Sequence, residues 1–350
     1  MFRKITIRTK KTRIKMAKIL AGTQQKKELK PDFGHEKIEV LYEDEHIAII
    51  FKPSGMLSVP YPGSNNKTAQ SALEQLMRKK GTYNSNHRPF VVHRLDRDTS
   101  GVMMFALTQD AQKKIMENWQ KMVKERLYRA VAENPKNGFL PETGTIDDEI
   151  AYNAHNIGFV PKKDDHPALN NATKKALHAE KNTSRNEKSI YERNLLIKNG
   201  KAEFKTISAR TNYKIITRGK YHTLFELSLE TGRKNQIRAH LASKGYPLAG
   251  DENYRAQTDP FHRLALHART LEFTHPYTEK HMKFEIPEPQ EWMETVQQNS
   301  GNIPAVWATK TQRDRKHENK KNYAEFSGQK IPSHKKLSKM DFISRGKFHK

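Results

Sequence analysis

Apolar residues recur in short blocks along the chain, and the spacing inside each block sets the element it predicts. Ile38–Tyr42 and Ile47–Phe51 are apolar runs on either side of the acidic turn Glu43–His46, which predicts a β-hairpin. Lys52-Pro53-Ser54-Gly55 then breaks the second strand. Helical spacing runs from Thr68 to Lys80, with Thr68 as N-cap and Gly81 as the C-terminal stop. Phe90–Leu95 and Gly101–Leu107 are short apolar runs suited to buried strands. Thr108 opens a second helical pattern through Met122, and Leu127–Ala132 alternates as a strand does. Thr211–Ile216 and Thr223–Leu229 flank Arg218-Gly219-Lys220 as a second hairpin. Arg233–Lys244 reads as a helix ended by Gly245, followed by strands at Leu264–Phe273 and Met282–Ile286. Many strands joined by tight turns, with few helices, predict a largely antiparallel α+β fold without internal repeats.

Three segments fall outside this pattern: residues 1–35, about 161–201, and 301–350. They divide the 350 residues into a basic arm, a folded domain at 36–300 carrying a basic insertion, and a basic tail. The Lys-rich arm, the insertion rich in Asn, Lys and Ala, and the tail of Lys, Arg, Asn, Ser and Gly with few apolar anchors predict little stable order, because too little surface is buried to offset chain entropy. Charge follows the same division. The chain carries +25, of which the arm holds +9, the insertion +5 and the tail +9, leaving +2 for the rest. Such a balance points to a polyanionic partner, nucleic acid before an anionic membrane, or else to solvated tails. No run approaches about 18 apolar residues, so no membrane span is expected. The arm lacks the apolar centre of a secretory signal, and its Lys-rich, Ser-poor composition speaks against a transit peptide. A cytoplasmic monomer is the expectation.

The absence of cysteine removes disulfides, thiolate metal sites and cysteine nucleophiles. Dinucleotide, P-loop, zincin and nucleophile-elbow motifs are missing as well. The 16 histidines do not make a metal motif: His262 and His267 are five apart, off one helix face. Neither a metal nor a cofactor is expected. Two polar segments stand out. In Val91-Val92-His93-Arg94-Leu95-Asp96-Arg97-Asp98-Thr99-Ser100-Gly101, Asp96 sits at a strand end beside Arg94 and Arg97, which favour an ionised carboxylate fit to act as nucleophile or base. A turn with a structural ion pair fits the same residues. In Glu230-Thr231-Gly232-Arg233-Lys234-Asn235-Gln236-Ile237-Arg238-Ala239-His240, donors gather at a predicted helix start, as at an anion site or on a solvated helix face.

Together the two segments resemble the RluA-type family of RNA pseudouridine synthases. Its H-R-L-D-x-x-T-S-G pattern is matched at His93, Arg94, Leu95, Asp96, Thr99, Ser100 and Gly101, which makes a chance match improbable. Lys52-Pro53-Ser54-Gly55 resembles the K-P-x-G turn, and Arg126-Leu127-Tyr128-Arg129-Ala130 the K-x-Y-x-A strand. Thr231–His240 resembles T-G-R-x-H-Q-I-R-x-H, Gly245–Asp251 resembles G-x-P-I-x-G-D, and Leu266-His267-Ala268 the closing strand. The resemblance covers about residues 37–290 without the insertion. Asn235 stands where His is usual, Arg126 where Lys is usual, and the short arm leaves no clear S4-type RNA-binding domain.

The resemblance implies a bent, mixed, mainly antiparallel sheet with flanking helices and a central cleft. It implies isomerisation of uridine to pseudouridine in ribosomal RNA, or in transfer RNA, without a cofactor. Asp96 matches the catalytic aspartate; attack at ribose C1′ and removal of the 2′ proton both suit it. Arg238 matches the arginine that pairs with that carboxylate, and Tyr128 the active-site tyrosine that packs on the base. Arg94 matches the residue that enters the helix as uridine flips out, Leu266 supplies an apolar pocket wall, and Arg233 adds to a basic RNA-facing cleft. A non-catalytic RNA-binding or chaperone protein on a degenerate synthase domain is the alternative.

Overall fold

The structure, a computed structural model, describes residues 37–61, 66–162, 165, 167, 194–198 and 201–309. The elements run β1 (Glu39–Glu43), β2 (Ile47–Lys52), α1 (Ala69–Lys80), β3 (Phe90–Val91), β4 (Ser100–Ala106), α2 (Gln109–Met122), β5 (Val123–Glu133) and β6 (Thr143–Ile146). Then follow β7 (Ala151–Tyr152), β8 (Gly158–Phe159), β9 (Leu195–Lys198), β10 (Lys201–Phe204), β11 (Thr211–Arg218), β12 (His222–Leu229) and α3 (Gln236–Ser243). After a 3-10 turn at Glu252–Tyr254 come β13 (Leu266–Thr274), β14 (His281–Glu285), α4 (Gln290–Gln297) and α5 (Val306–Thr309).

Ten strands form one sheet, ordered β1-β2-β4-β13-β5-β12-β11-β6, with β14 on β13 and β3 on β4. Every pairing is antiparallel except β4 with β13. The mixed, mainly antiparallel α+β architecture therefore stands. Register shifts in the β5–β13 and β11–β12 pairings mark bulges, which bend the strands that carry them.

Strand periodicity decides which helix covers which face. Along β2, Ala48 and Ile50 pack with Leu73 and Met77 of α1, while Ile47 and Ile49 pack with Ala111 and Ile115 of α2. Both faces of β2 and β4 are thus buried, which is why those strands read as continuous apolar runs. The helix ends follow the sequence: Thr68 and Ser71 form a capping box, Gly81 takes φ 75°, and Thr108 accepts from the Ala111 N–H. Trp292 and Val296, one turn apart on α4, close a third cluster with Val131 and Leu224.

Several expectations need correction. Phe90–Leu95 is a strand only at Phe90–Val91; from Val92 the chain leaves the sheet. The helix expected from Arg233 begins at Gln236, and β13 begins at Leu266 rather than Leu264. The insertion includes ordered chain, since β9 pairs with β10 across Leu195–Phe204. The tail is also folded at its start: Ala305 donates to the Gln257 carbonyl, and Trp307 Nε1 to the Ala256 carbonyl at 2.8 Å. The arm, most of the insertion and residues 310–350 lie outside the described residues.

Two buried histidines, His222 and His267, and the half-buried His93 are held neutral. Desolvation pushes His93 down to about 3, and His222 and His267 down to about 4. Their folded values lie below the unfolded value of 6.5, so protons favour the unfolded chain as pH falls. Their stabilisation is complete above pH 6.5 and is lost on descending toward pH 4. At pH 5 each ring should have cost about 2 kcal/mol, read as a lower urea midpoint than at pH 7; equal midpoints would exclude neutral buried rings. A second expectation concerns Gly101, at φ 128°, where an added Cβ would lie 2.1 Å from the Ala268 carbonyl oxygen. Gly101→Ala should destabilise the protein by about 2–5 kcal/mol in the same assay, and an unchanged midpoint would argue against this close approach.

Candidate active site

The irregular chain from Val92 to Thr99 is held from three sides. Lys52, fully buried at the end of β2, donates from Nζ to the carbonyls of Pro53 (2.9 Å), Met56 (2.7 Å) and Arg97 (2.9 Å). Three donated bonds require the ammonium form. Ser54 donates to the Asp98 carbonyl at 2.7 Å, and Ser58 donates to the Leu95 carbonyl while accepting the Leu95 N–H. The K-P-S-G turn is therefore the clamp of the Asp96 loop. His93 accepts the Met104 N–H at 2.9 Å through Nε2, which ties the loop to β4. The Thr99 N–H closes the turn on the Asp96 carbonyl at 3.2 Å.

The second motif splits between fold and site. Gln236, buried, accepts from Thr231 Oγ1 and the Arg233 N–H, and donates to the Arg210 carbonyl and to Thr211. His240 meets Thr211 Oγ1 through Nδ1 and donates from Nε2 to the Asp148 carbonyl. Arg238, on α3 between them, is the residue that the resemblance pairs with Asp96. Its fork instead takes Asp251, with Nε and Nη2 each 2.7 Å from a carboxylate oxygen. Asp96 receives only the remaining Nη1, at 3.5 Å from Oδ2. The reason is burial: Asp251 has a side chain 1% exposed and needs a charged partner, whereas the Asp96 side chain is 26% exposed and faces the cleft. Desolvation opposes the Arg238 charge, but Asp251 and Asp96 outweigh it and hold the guanidinium above its usual range.

All six residues singled out from the sequence, Asp96, Tyr128, Arg238, Arg94, Arg233 and Leu266, line one cleft of about 830 Å³. Tyr128 on β5 lies opposite Ala268 of β13 in the sheet, so Tyr128 and Leu266 enter the cleft from adjacent strands. Burial pushes the Tyr128 phenol up, against the opposing pull of Arg126, and it stays protonated at neutral pH. Arg94 is exposed at the cleft and makes no hydrogen bond or ion pair among the described residues. Arg233 is tied by Nε to the Ser208 carbonyl at 2.9 Å. Desolvation, helped by Arg94 and Arg238, lowers the Lys234 ammonium, against the pull of Asp96.

Three contributors escaped the sequence reading. Asn235 donates from Nδ2 to Asp96 Oδ2 at 2.7 Å. Asp251 holds Arg238, and Lys52 holds the loop; both belong to quoted motifs, and a charged residue inside an otherwise apolar block was the available signal. Among the described residues no group of His, Asp or Glu side chains could hold a metal ion, and no helix is long and apolar enough to cross a membrane.

The model of the RNA pseudouridylate synthase family matches residues 46–243. Ribosomal large subunit pseudouridine synthase D of Pseudomonas aeruginosa is 32% identical over 73% of this chain and 70% of its own length. The protein of the same name from Neisseria meningitidis is 30% identical over 73% of this chain, which spans 59% of that relative. The solved structure of human RNA pseudouridylate synthase domain containing 4 shares the fold, with a TM-score of 0.50 at 19% identity over 76% of this chain and 94% of its own. The chain belongs to the RNA pseudouridylate synthase family, the isomerases that its sequence motifs resemble.

Proposed function

We propose that this chain converts uridine to pseudouridine in structured RNA, with large-subunit ribosomal RNA as its substrate class and Asp96 as the catalytic carboxylate. The observation that carries the reading is the meeting of Asp96, its donors and Tyr128 in one cleft. The reaction is an isomerisation. The bond from N1 to ribose C1′ breaks, C5 bonds to C1′, the C5 proton leaves, and N1 gains a proton. It balances without an oxidant, reductant or leaving group.

A partly exposed carboxylate beside Arg238 is suited to that sequence, whether it attacks C1′ or takes the 2′ proton. Tyr128 offers a ring face for the base and a protonated phenol near the reacting carbons. Leu266 walls the pocket, and the exposure of Arg94 at the cleft supports its role in filling the stack that a flipped uridine vacates. Arg233 adds positive charge toward the RNA backbone. A purely RNA-binding role suits the cleft poorly, because an oriented carboxylate in its floor repels phosphate. The names of the relatives favour ribosomal over transfer RNA.

In cells carrying Asp96→Asn, pseudouridine mapping should show loss of a large-subunit ribosomal RNA site while the protein remains folded. Retention of every site would overturn the catalytic assignment, and loss confined to transfer RNA would overturn the substrate class. The basic segments are proposed to add sequence-independent RNA affinity. Removing residues 1–35 and 310–350 should therefore flatten the salt dependence of RNA binding yet keep turnover on a short substrate. An unchanged salt slope would leave those charges as solvated tails.

A further inference from the structure

Asn235 has a backbone that only a few residue types adopt and a side chain that its helix does not use. It precedes α3 at φ 58°, ψ 19°, in the left-handed region, and makes no side-chain capping bond. An N-cap ordinarily has extended backbone and gives its side chain to the helix N–H groups. Here the amide bridges two other elements. Oδ1 accepts from the Gly158 N–H of β8 at 3.4 Å, and Nδ2 donates to Asp96 Oδ2 at 2.7 Å. A carboxylate only accepts, so the NH₂ end must face Asp96.

The two oxygens of Asp96 are thereby made unequal. Oδ2 takes the Asn235 bond and the 3.5 Å approach of Arg238, whose other donors are committed to Asp251. Oδ1 has no hydrogen bond or ion pair among the described residues. Asn235 is thus the one hydrogen-bond donor to Asp96 among the described side chains.

We infer that Asn235 is a positioning residue, which holds Oδ2 and so presents Oδ1 of Asp96 to the substrate ribose; the inference rests on the proposed pseudouridine chemistry. The uncharged amide orients the carboxylate without neutralising it, so Oδ1 keeps its reactivity. An imidazole N–H reaching the same oxygen would serve the same purpose, and an acceptor would defeat it.

The test is single-turnover pseudouridine formation on a substrate RNA, measured at saturating and subsaturating enzyme. Asn235→Gly removes the amide while keeping the left-handed backbone unstrained. Asn235→Asp keeps size and backbone tolerance but replaces the donor with a repelling acceptor. Both should lower the saturating rate by about 10–100-fold, as misplacement of a reacting group does, with half-saturation nearly unchanged. Asn235→His should recover to within about tenfold of wild type. Wild-type rates in both the Gly and Asp variants, or an effect on half-saturation alone, would overturn the inference while leaving the proposed function intact. Absence of pseudouridine from the wild-type reaction would overturn both.

Discussion

Lys52 places an ammonium where no solvent reaches it, and three carbonyls make that tolerable. A buried cation without partners costs several kcal/mol, so the chain around Nζ has little freedom. One of those carbonyls belongs to Arg97, next to Asp96, so the geometry of the candidate catalytic loop is tied to the solvation of a lysine at the end of β2. Ser54 and Ser58 extend the same constraint to both sides of Asp96. The loop can therefore be irregular without being loose. At its end, β4 meets β13 in parallel, where Gly101 lies so close to Ala268 that no side chain fits. That contact seats β4 beside the strand that brings Leu266 to the cleft.

What was legible in the sequence follows the range of the interactions. The β1–β2 and β11–β12 hairpins and both capped helices, α1 and α2, depend on neighbours a few residues apart, and they stand where the pattern put them. The parallel pairing of β4 with β13 joins residues more than 160 positions apart, and no periodicity encodes it. Strand β3 stops at Val91 because His93 turns inward to accept the Met104 N–H, a long-range bond that the apolar run Phe90–Leu95 concealed. At the site, the motifs marked Asp96, Tyr128 and Arg238 together. They could not show that burial makes Asp251, rather than Asp96, the partner of the Arg238 fork. Nor could they show that Asn235, a departure from the family pattern, touches the carboxylate.

Arg238 between two aspartates explains how the candidate site is both rigid and open. A bidentate bond to Asp251 fixes the guanidinium plane and satisfies the buried carboxylate. The remaining edge then offers Asp96 charge without a full bond. Had the fork closed on Asp96, both of its oxygens would be occupied and neither left open to the cleft. The division of labour between Asp251, Arg238 and Asn235 leaves Asp96 oriented and partly open.

Charge operates on two scales in this chain. Outside the arm, insertion and tail, the net charge is only +2, far too little to gather RNA by bulk attraction. Yet Arg94, Arg126, Arg233, Lys234 and Arg238 line the cleft with only Asp96 and Asp98 as acidic lining residues, while other carboxylates are paired elsewhere in the sheet. Arg129 and Arg269, for example, consume Glu226, Glu285 and Glu288 away from it. Local asymmetry of this kind acts within about a Debye length, roughly 8 Å at physiological salt, and so orients an RNA already in contact. Capture from a distance calls for a different source, and the charge for it lies in the segments outside the synthase motifs. If the basic segments bind RNA as proposed, recognition in the cleft and capture by those segments are separable, and salt acts mainly on the second.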